Sequence, residues 1–435
     1  MSWKKQKGEI IVPIVEGGFD IDLPKMVEIR QKFVSDKITD IPAKVYEELN
    51  KPEIKARFKP GQRIAITVGS RGIANIALIT KTCIDWLKEN GMEPFVVPAM
   101  GSHGGGTPEG QLEVLASYNV TEETMGVKID ASMDVVELGQ TESGTPVYVS
   151  KPAYEADGIM VVARIKPHTN FRGPIESGLM KMMVIGLGKH RGATYVHQQG
   201  FALFNEIIPE VGRAIVERAP IACGVGIVEN GYDETMIIRA VTPDKIEETD
   251  VELLPVARDA MPKILFDEMD LLIVDEIGKN ISGSGMDPNV TGRFTSSNLI
   301  KQTFKPYVKK LFVRGLTEET HGNATGIGDA DLTTRRVVEK IDWEYTYANV
   351  ITSTELMAGG TPMTMENDRQ AIVVALKTVP RVEPTEAKVV RIRNTAELDE
   401  IWISESLLPE AKANPNIEVL GELKPMEFDS EDFLK

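Results

Sequence analysis

Apolar positions along this chain recur in two registers that alternate. RIAITV at 63–68 is a short β-branched run, and IANIALITKTCIDWLKEN at 73–90 has helical length and helical apolar spacing. Gly91 stands where a helix-ending residue belongs. PFVVPA at 94–99 predicts the next strand, and a helix follows from Pro108, with Thr107 as N-cap and Gln111 close to the capping-box position. VKID, VVELG, PVYVS and GIMVVARI (158–165) predict further strands, and GEIIVPIV is a strand-like run near the start. A second series opens at DLLIVDEI (270–277). It continues through KKLFVRGL (309–316), a helix near TRRVVEKI (334–341), ENDRQAIVVALKTV (366–379) and KVVRIR (388–393). Strands alternating with helices predict an α/β protein with mostly parallel or mixed sheets. A chain of 435 residues is too long for one ordinary core. Two α/β domains are therefore expected, 1–255 and 265–435, joined by the weakly patterned stretch around 242–265. The active site is expected in the cleft between them.

Composition narrows the class. With 49 Lys and Arg against 65 Asp and Glu the net charge is −16, which argues against nucleic-acid or anionic-membrane partners. Cys83 and Cys223 are the two cysteines and form no CxxC, so neither an Fe–S cluster nor a cysteine zinc site is indicated. MSWKKQKGEIIV lacks an apolar signal core and no run approaches a membrane span, so a cytoplasmic protein is expected.

Four of the five histidines lie between His103 and His197. His103 sits in PAMGSHGGGT and His168 in ARIKPHTNFRG, each directly after a predicted strand, where an α/β protein builds a site. His190 and His197 lie in LMKMMVIGLGKHRGATYVHQQG, shortly after Lys181. Two histidines could flank one carbon from opposite faces, as racemisation needs; loop capping is the bland alternative. Gly69-Ser70-Arg71-Gly72 follows RIAITV and is expected to open a helix, offering an anion either backbone N–H groups or the Arg71 fork. An ordinary tight turn fits as well. Lys181 amid Met180, Met182 and Met183 reads as a covalent nucleophile or tether, or as a snorkelling lysine. His197 could ligate a metal. One histidine is too few for a structural zinc site, so such a metal would need ligands from a cofactor.

Ser70-Arg71, Gly101-Ser102-His103, Lys166-Pro167-His168, Lys181 and His197, in this order and spacing, resemble the nickel-dependent lactate racemase family. The resemblance covers most of the first ~230 residues and weakens after. It implies a racemase or epimerase of a 2-hydroxy acid that carries a nickel pincer nucleotide, a pyridinium mononucleotide with two thio-acyl arms. It implies Lys181 as the lysine joined to that cofactor, His197 as the nickel ligand, His103 and His168 as paired acid/base groups, and Arg71 as the substrate anchor. Gly69, Ser70 and Gly72 would sit near the cofactor phosphate or the substrate. Cofactor-maturation proteins are implied as partners, and the C-terminal domain is expected to close over the substrate.

The chain departs from the family in two places. Val68 and Gly69 stand where an acidic residue precedes the Ser/Thr-Arg turn, and a Tyr-Pro-Lys type motif is replaced near ISGSGMDPNVTGRF (281–294). Lys279 or Arg293 could supply the missing cation. Asp287, Asn289 and Arg293 could hydrogen-bond extra hydroxyls, which points to a substrate larger than lactate, such as a sugar acid. ETHGNATGIGDADLTT (319–334), with His321, could line the cleft or be a polar connection. Two other readings stay open: a zinc- or iron-dependent hydrolase using His103, His168 and His197, and a hydroxy-acid or nucleotide-binding homologue without turnover.

Overall fold

The computed structural model describes residues 18–70, 72–296, 299 and 301–435; the GEIIVPIV run and Arg71 lie outside the described residues. The chain divides into two compact units, Phe33–Met261 and a second made of 18–32 with Pro262–Lys435. Strand β1 (Met26–Gln31) therefore goes with the later half of the chain. The sequence reading had placed it in a domain 1–255.

The unit Phe33–Met261 is built on β2 (Arg63–Val68), β3 (Glu93–Pro98), β6 (Gly158–Arg164), β7 (Ile221–Glu229) and β8 (Thr235–Val241), in the order β3-β2-β6-β7-β8. β4 (Val135–Gln140) and β5 (Pro146–Ser150) form a separate antiparallel pair. The first four strands of the order run parallel and β8 is antiparallel to β7. Alternation along the strands divides the core between the two faces of the sheet. Ile64, Ile66 and Val68 pack with helices Ile41–Leu49 and Ile76–Glu89. Ala65, Val97, Val161 and Ala163 face helix Phe204–Arg218 and the segment 179–187.

RIAITV, GIMVVARI, VVELG and PVYVS form strands at their expected places, but VKID contributes only the single bridge Val96↔Ile129. The stretch 242–265 is not a linker. Most of it is helix Ile246–Ala260, which buries Leu253, Leu254 and Ala257, and the unit boundary falls after Met261.

The second unit holds an eight-stranded sheet. Its later strands are β9 (Glu268–Val274), β10 (Tyr307–Val313), β11 (Leu332–Thr334), β12 (Met363–Met365), β13 (Val389–Ile392), β14 (Glu400–Ser404) and β15 (Ile417–Val419), in the order β12-β11-β10-β9-β13-β14-β1-β15. β9 to β13 are parallel, and β14, β1 and β15 add antiparallel. Both units are thus α/β with mixed sheets. No helix among the described residues is long and apolar enough to cross a membrane.

Candidate functional site

β2, β3 and β6 run parallel, so the loops that follow them emerge at one edge of the sheet, where α/β folds hold ligands. β2 lies between the other two. The loop with Ser70 is therefore central, with the His103 loop on one side and the His168 loop on the other.

Ser70 Oγ hydrogen-bonds His103 Nδ1, and the Tyr118 hydroxyl donates to the Ser70 carbonyl at 2.9 Å. Gly69-Ser70 does not open a helix directly: Ile73, Ala74 and Asn75 intervene, and the helix starts at Ile76 with Asn75 at φ 59° and no side-chain cap. Ala74 N–H instead donates at 2.6 Å to Glu229, which also pairs with Arg164 at the end of β6. Gly72 is exposed. In the His103 loop Gly104 has φ 66°, and a Cβ there would lie 2.5 Å from the Gly110 backbone, so glycine is required. Thr107 caps the following helix as expected, accepting from Gly110 N–H at 3.1 Å. Gln111 closes no capping box. It is buried, and its amide donates to the Gly101 carbonyl at 3.0 Å and the His103 carbonyl at 3.3 Å.

The His168 loop turns on a buried carboxylate. Glu176 accepts the His168 N–H at 2.7 Å and the Gly173 N–H at 3.2 Å, and it pairs with Arg258 at 2.9 Å. His168 Nδ1 accepts from Asn170 N–H at 3.0 Å, so in the neutral ring the proton belongs on Nε2. The ring centroid lies 4.5 Å from that of Phe171 and 6.0 Å from that of Phe201.

Lys181 ends the short helix Leu179–Lys181, and a π-helical turn, Met182–Gly186, follows it. Such turns are frequent at functional sites. Gly224 on β7 leaves room for this helix; a Cβ there would come within 2.9 Å of Leu179 Cδ1. Asp250, buried on helix Ile246–Ala260, caps it by accepting Leu179 N–H at 2.9 Å and Met180 N–H at 2.8 Å. Burial outweighs those two bonds and pushes the Asp250 carboxyl up to about 7.

His197 lies on helix Lys189–Gln198. Its Nδ1 donates to the Ala193 carbonyl at 2.7 Å, which leaves the lone pair on Nε2. Burial lowers its pKa and the positive charge of Lys181 lowers it further, against the pull of the Ala193 carbonyl. The imidazole is thus held neutral beside Lys181, in the state in which it ligates a metal. Phe201 joins the loops, with its ring 5.8 Å from His197 and 6.0 Å from His168. On the other side, Gly101 N–H donates to the Gly186 carbonyl at 3.3 Å. A Cβ on Gly69 would reach Met182 at 3.0 Å. Ser70, His103, His168, Lys181 and His197 therefore converge. Exposed His190 packs on Gly106 beside them. Among the described residues no group of three or more His, Cys, Asp or Glu is placed to hold a metal ion.

Glu176, Asp250 and Lys189 carry no signal in the sequence pattern, and Gln111 reads there only as a helix-capping residue. Their partners are mostly backbone groups, which no side-chain pattern announces.

Lys279 and Arg293 belong to the second unit. Lys279 Nζ donates to the Gly283 carbonyl at 2.7 Å. Arg293 pairs with Asp331 at 2.6 Å and donates to the Val308 and Lys309 carbonyls at 3.0 and 2.9 Å. Asp287 accepts both Asn289 N–H and Asn289 Nδ2, at 2.9 and 2.7 Å. Asp287, Asn289 and Arg293, expected to offer hydrogen bonds to extra hydroxyls, each have hydrogen bonds within their own unit. In the loop 319–334, His321 is exposed at φ 49°, while Asn323 accepts from Thr325 and Asp331 accepts Leu311 N–H.

Residues 19–206 match the family model described as the lactate racemase N-terminal domain. Two solved structures share the fold at 12% identity. One is a structural-genomics protein from Thermotoga maritima, with TM-score 0.52 over 84% of this chain and 98% of that one. The other is the lactate racemase apoprotein from Thermoanaerobacterium thermosaccharolyticum, with TM-score 0.51 over 86% and 99%. No curated protein matches the chain.

Proposed function

From the match of residues 19–206 to the lactate racemase N-terminal domain model, we propose that this protein is a racemase or epimerase of a 2-hydroxy acid that works with a nickel pincer nucleotide. The observation that carries the reading is that His103 and His168 lie in the loops after β3 and β6, the two strands flanking β2, with Phe201 between His168 and His197 and the turn after Lys181 bonded to the His103 loop through Gly101 and Gly186.

The residues fit the cofactor. Lys181 offers an amine next to a π-helical turn, and His197 offers a neutral imidazole whose tautomer is fixed by Ala193. Lys181 would hold the nucleotide covalently and His197 would give a nitrogen to the nickel. When bound, the cofactor supplies a hydride acceptor for the substrate's Cα hydrogen.

The chain's own groups do the rest. Arg71 in the central loop would fork onto the substrate carboxylate. His168 presents an Nε2–H, which suits it to hydrogen-bond the substrate oxygen; returning a proton to that oxygen requires its imidazolium form, in which Nδ1 no longer accepts from Asn170 N–H. A His103 whose Nδ1–H donates to Ser70 Oγ has its basic lone pair on Nε2, which suits it to take the hydroxyl proton. The two histidines exchange these roles for the opposite enantiomer. Phe171 and Phe201 shield the His168 side from water.

The test is interconversion of enantiomers across a panel of 2-hydroxy acids, followed by chiral chromatography in D2O, with protein made in a nickel-supplied, cofactor-competent host and weighed intact. Racemisation without solvent deuterium at Cα, as hydride transfer requires, and a covalent adduct on Lys181 are expected. Protein from that host with neither adduct nor racemisation would overturn the reading in favour of a binding protein.

A further inference from the structure

Lys189 is a fully buried lysine with φ 54°, placed between the π-helical turn and His190. Its Nζ donates to the carbonyl of Pro98, the last residue of β3, at 2.7 Å, and to Gln111 Oε1 at 3.4 Å. Gln111 is also fully buried, and its amide hydrogens go to the Gly101 and His103 carbonyls. The bonds run unbroken from Lys189 through Gln111 to the backbone of the loop that carries His103. That loop has positive φ at Gly101, Gly104, Gly105 and Gly106, so its own residues restrain it weakly. Burying an ammonium is unfavourable, and burial lowers the Lys189 pKa to about 8 while Asp130 pulls the other way. An apolar side chain would fill the same space without that cost. What it could not do is tie the end of β3 to Gln111.

We propose that Lys189 and Gln111 are positioning residues that hold the His103 loop so that the imidazole stays against Ser70. The proposal rests on His103 acting as an acid/base group.

Gln111→Glu separates the two ends of the chain of bonds. It keeps an acceptor for Lys189 and removes the N–H groups that hold the Gly101 and His103 carbonyls. Lys189→Met keeps the volume and removes the ammonium. Two measurements read the result. Histidine ¹⁵N NMR of the full-length apoprotein, with His103 assigned through His103→Gln, reports tautomer and titration at that ring. Racemisation kinetics of the loaded enzyme, followed by chiral chromatography, report function.

In wild type, His103 should show one dominant tautomer. In Gln111→Glu, with its melting temperature kept near wild type, that signature should move to the averaged values of a loose imidazole. Its kcat should fall about 10–100-fold, as expected for a misplaced catalytic group, with KM changed less than about threefold. Lys189→Met should do the same; if it fails to fold, Gln111→Glu decides. An unchanged His103 signal and kcat in folded Gln111→Glu overturns the proposal. Wild type that racemises no 2-hydroxy acid would sink the functional reading, yet the His103 signals would still decide whether the pair positions the ring.

Discussion

Replacing Asp250 with Asn should change how stability depends on pH. Asp250 accepts two backbone N–H bonds at the start of the Lys181 helix, yet its carboxyl titrates near 7 instead of 3.8 because it is buried. At about 1.4 kcal/mol per pKa unit, that difference is worth about 4 kcal/mol. The folded state holds the proton more tightly than the unfolded state. The stabilising contribution is fully present below pH 3.8 and is lost progressively as pH rises to about 7, beyond which nothing more changes. Between pH 5 and pH 8 this group alone should remove about 3 kcal/mol from wild type. Asp250→Asn is neutral throughout and lacks that slope. It can accept from only one of Leu179 N–H and Met180 N–H, so a constant cost of about 1–3 kcal/mol applies at both pH values. Urea unfolding of both apoproteins at pH 5 and pH 8 is the assay, since their difference cancels every other titrating group. The variant should gain about 3 kcal/mol on wild type from the lower to the higher pH. A difference that stays constant would refute the view that a carboxylate buried against its own preference caps the Lys181 helix.

Other outcomes follow from the same geometry. Lys181→Ala should lose any covalent adduct in the intact mass and keep its melting temperature; an adduct of unchanged mass would reassign the tether. His103→Ala and His168→Ala should each slow racemisation by about 10²–10⁴-fold, and a near-wild-type rate in either would remove that histidine from the acid/base pair. Arg293→Ala should destabilise the protein by about 1–3 kcal/mol, because it strips Asp331 and two strand carbonyls of their partner. Its KM for any 2-hydroxy acid should hardly move, and a large rise in KM with unchanged stability would restore the substrate role expected from sequence.

The legible parts of this fold are those where one side chain after another repeats a local rule. RIAITV and GIMVVARI are dense in β-branched residues and lie buried in the sheet as β2 and β6. β7 was not anticipated, although it is buried along nearly its whole length. Its run IACGVGIVE carries glycines at 224 and 226, which weaken a strand pattern but leave space for Leu179 and Ile165. Helix Ile246–Ala260 was missed because it opens with an acidic run and contains Pro255, both of which read as a connection.

The same asymmetry governs the site. His103, His168, Lys181 and His197 stand out in the sequence because chemistry is written in the residue type and the first two lie in loops that follow strands. Their supports were not visible. Glu176 and Asp250 bind backbone N–H groups that every non-proline residue has, so spacing cannot reveal the pairing. Gln111 occupied a position where a capping box was the local expectation, and tertiary contact with Gly101 and His103 won instead. Arg293 runs in the opposite direction. Its charge looks available in the sequence, yet Asp331, 38 residues on, pairs with it. A cation that the fold already pairs makes a weaker claim on a substrate than its sequence position suggests, so the choice between lactate and a sugar acid falls to the racemisation panel.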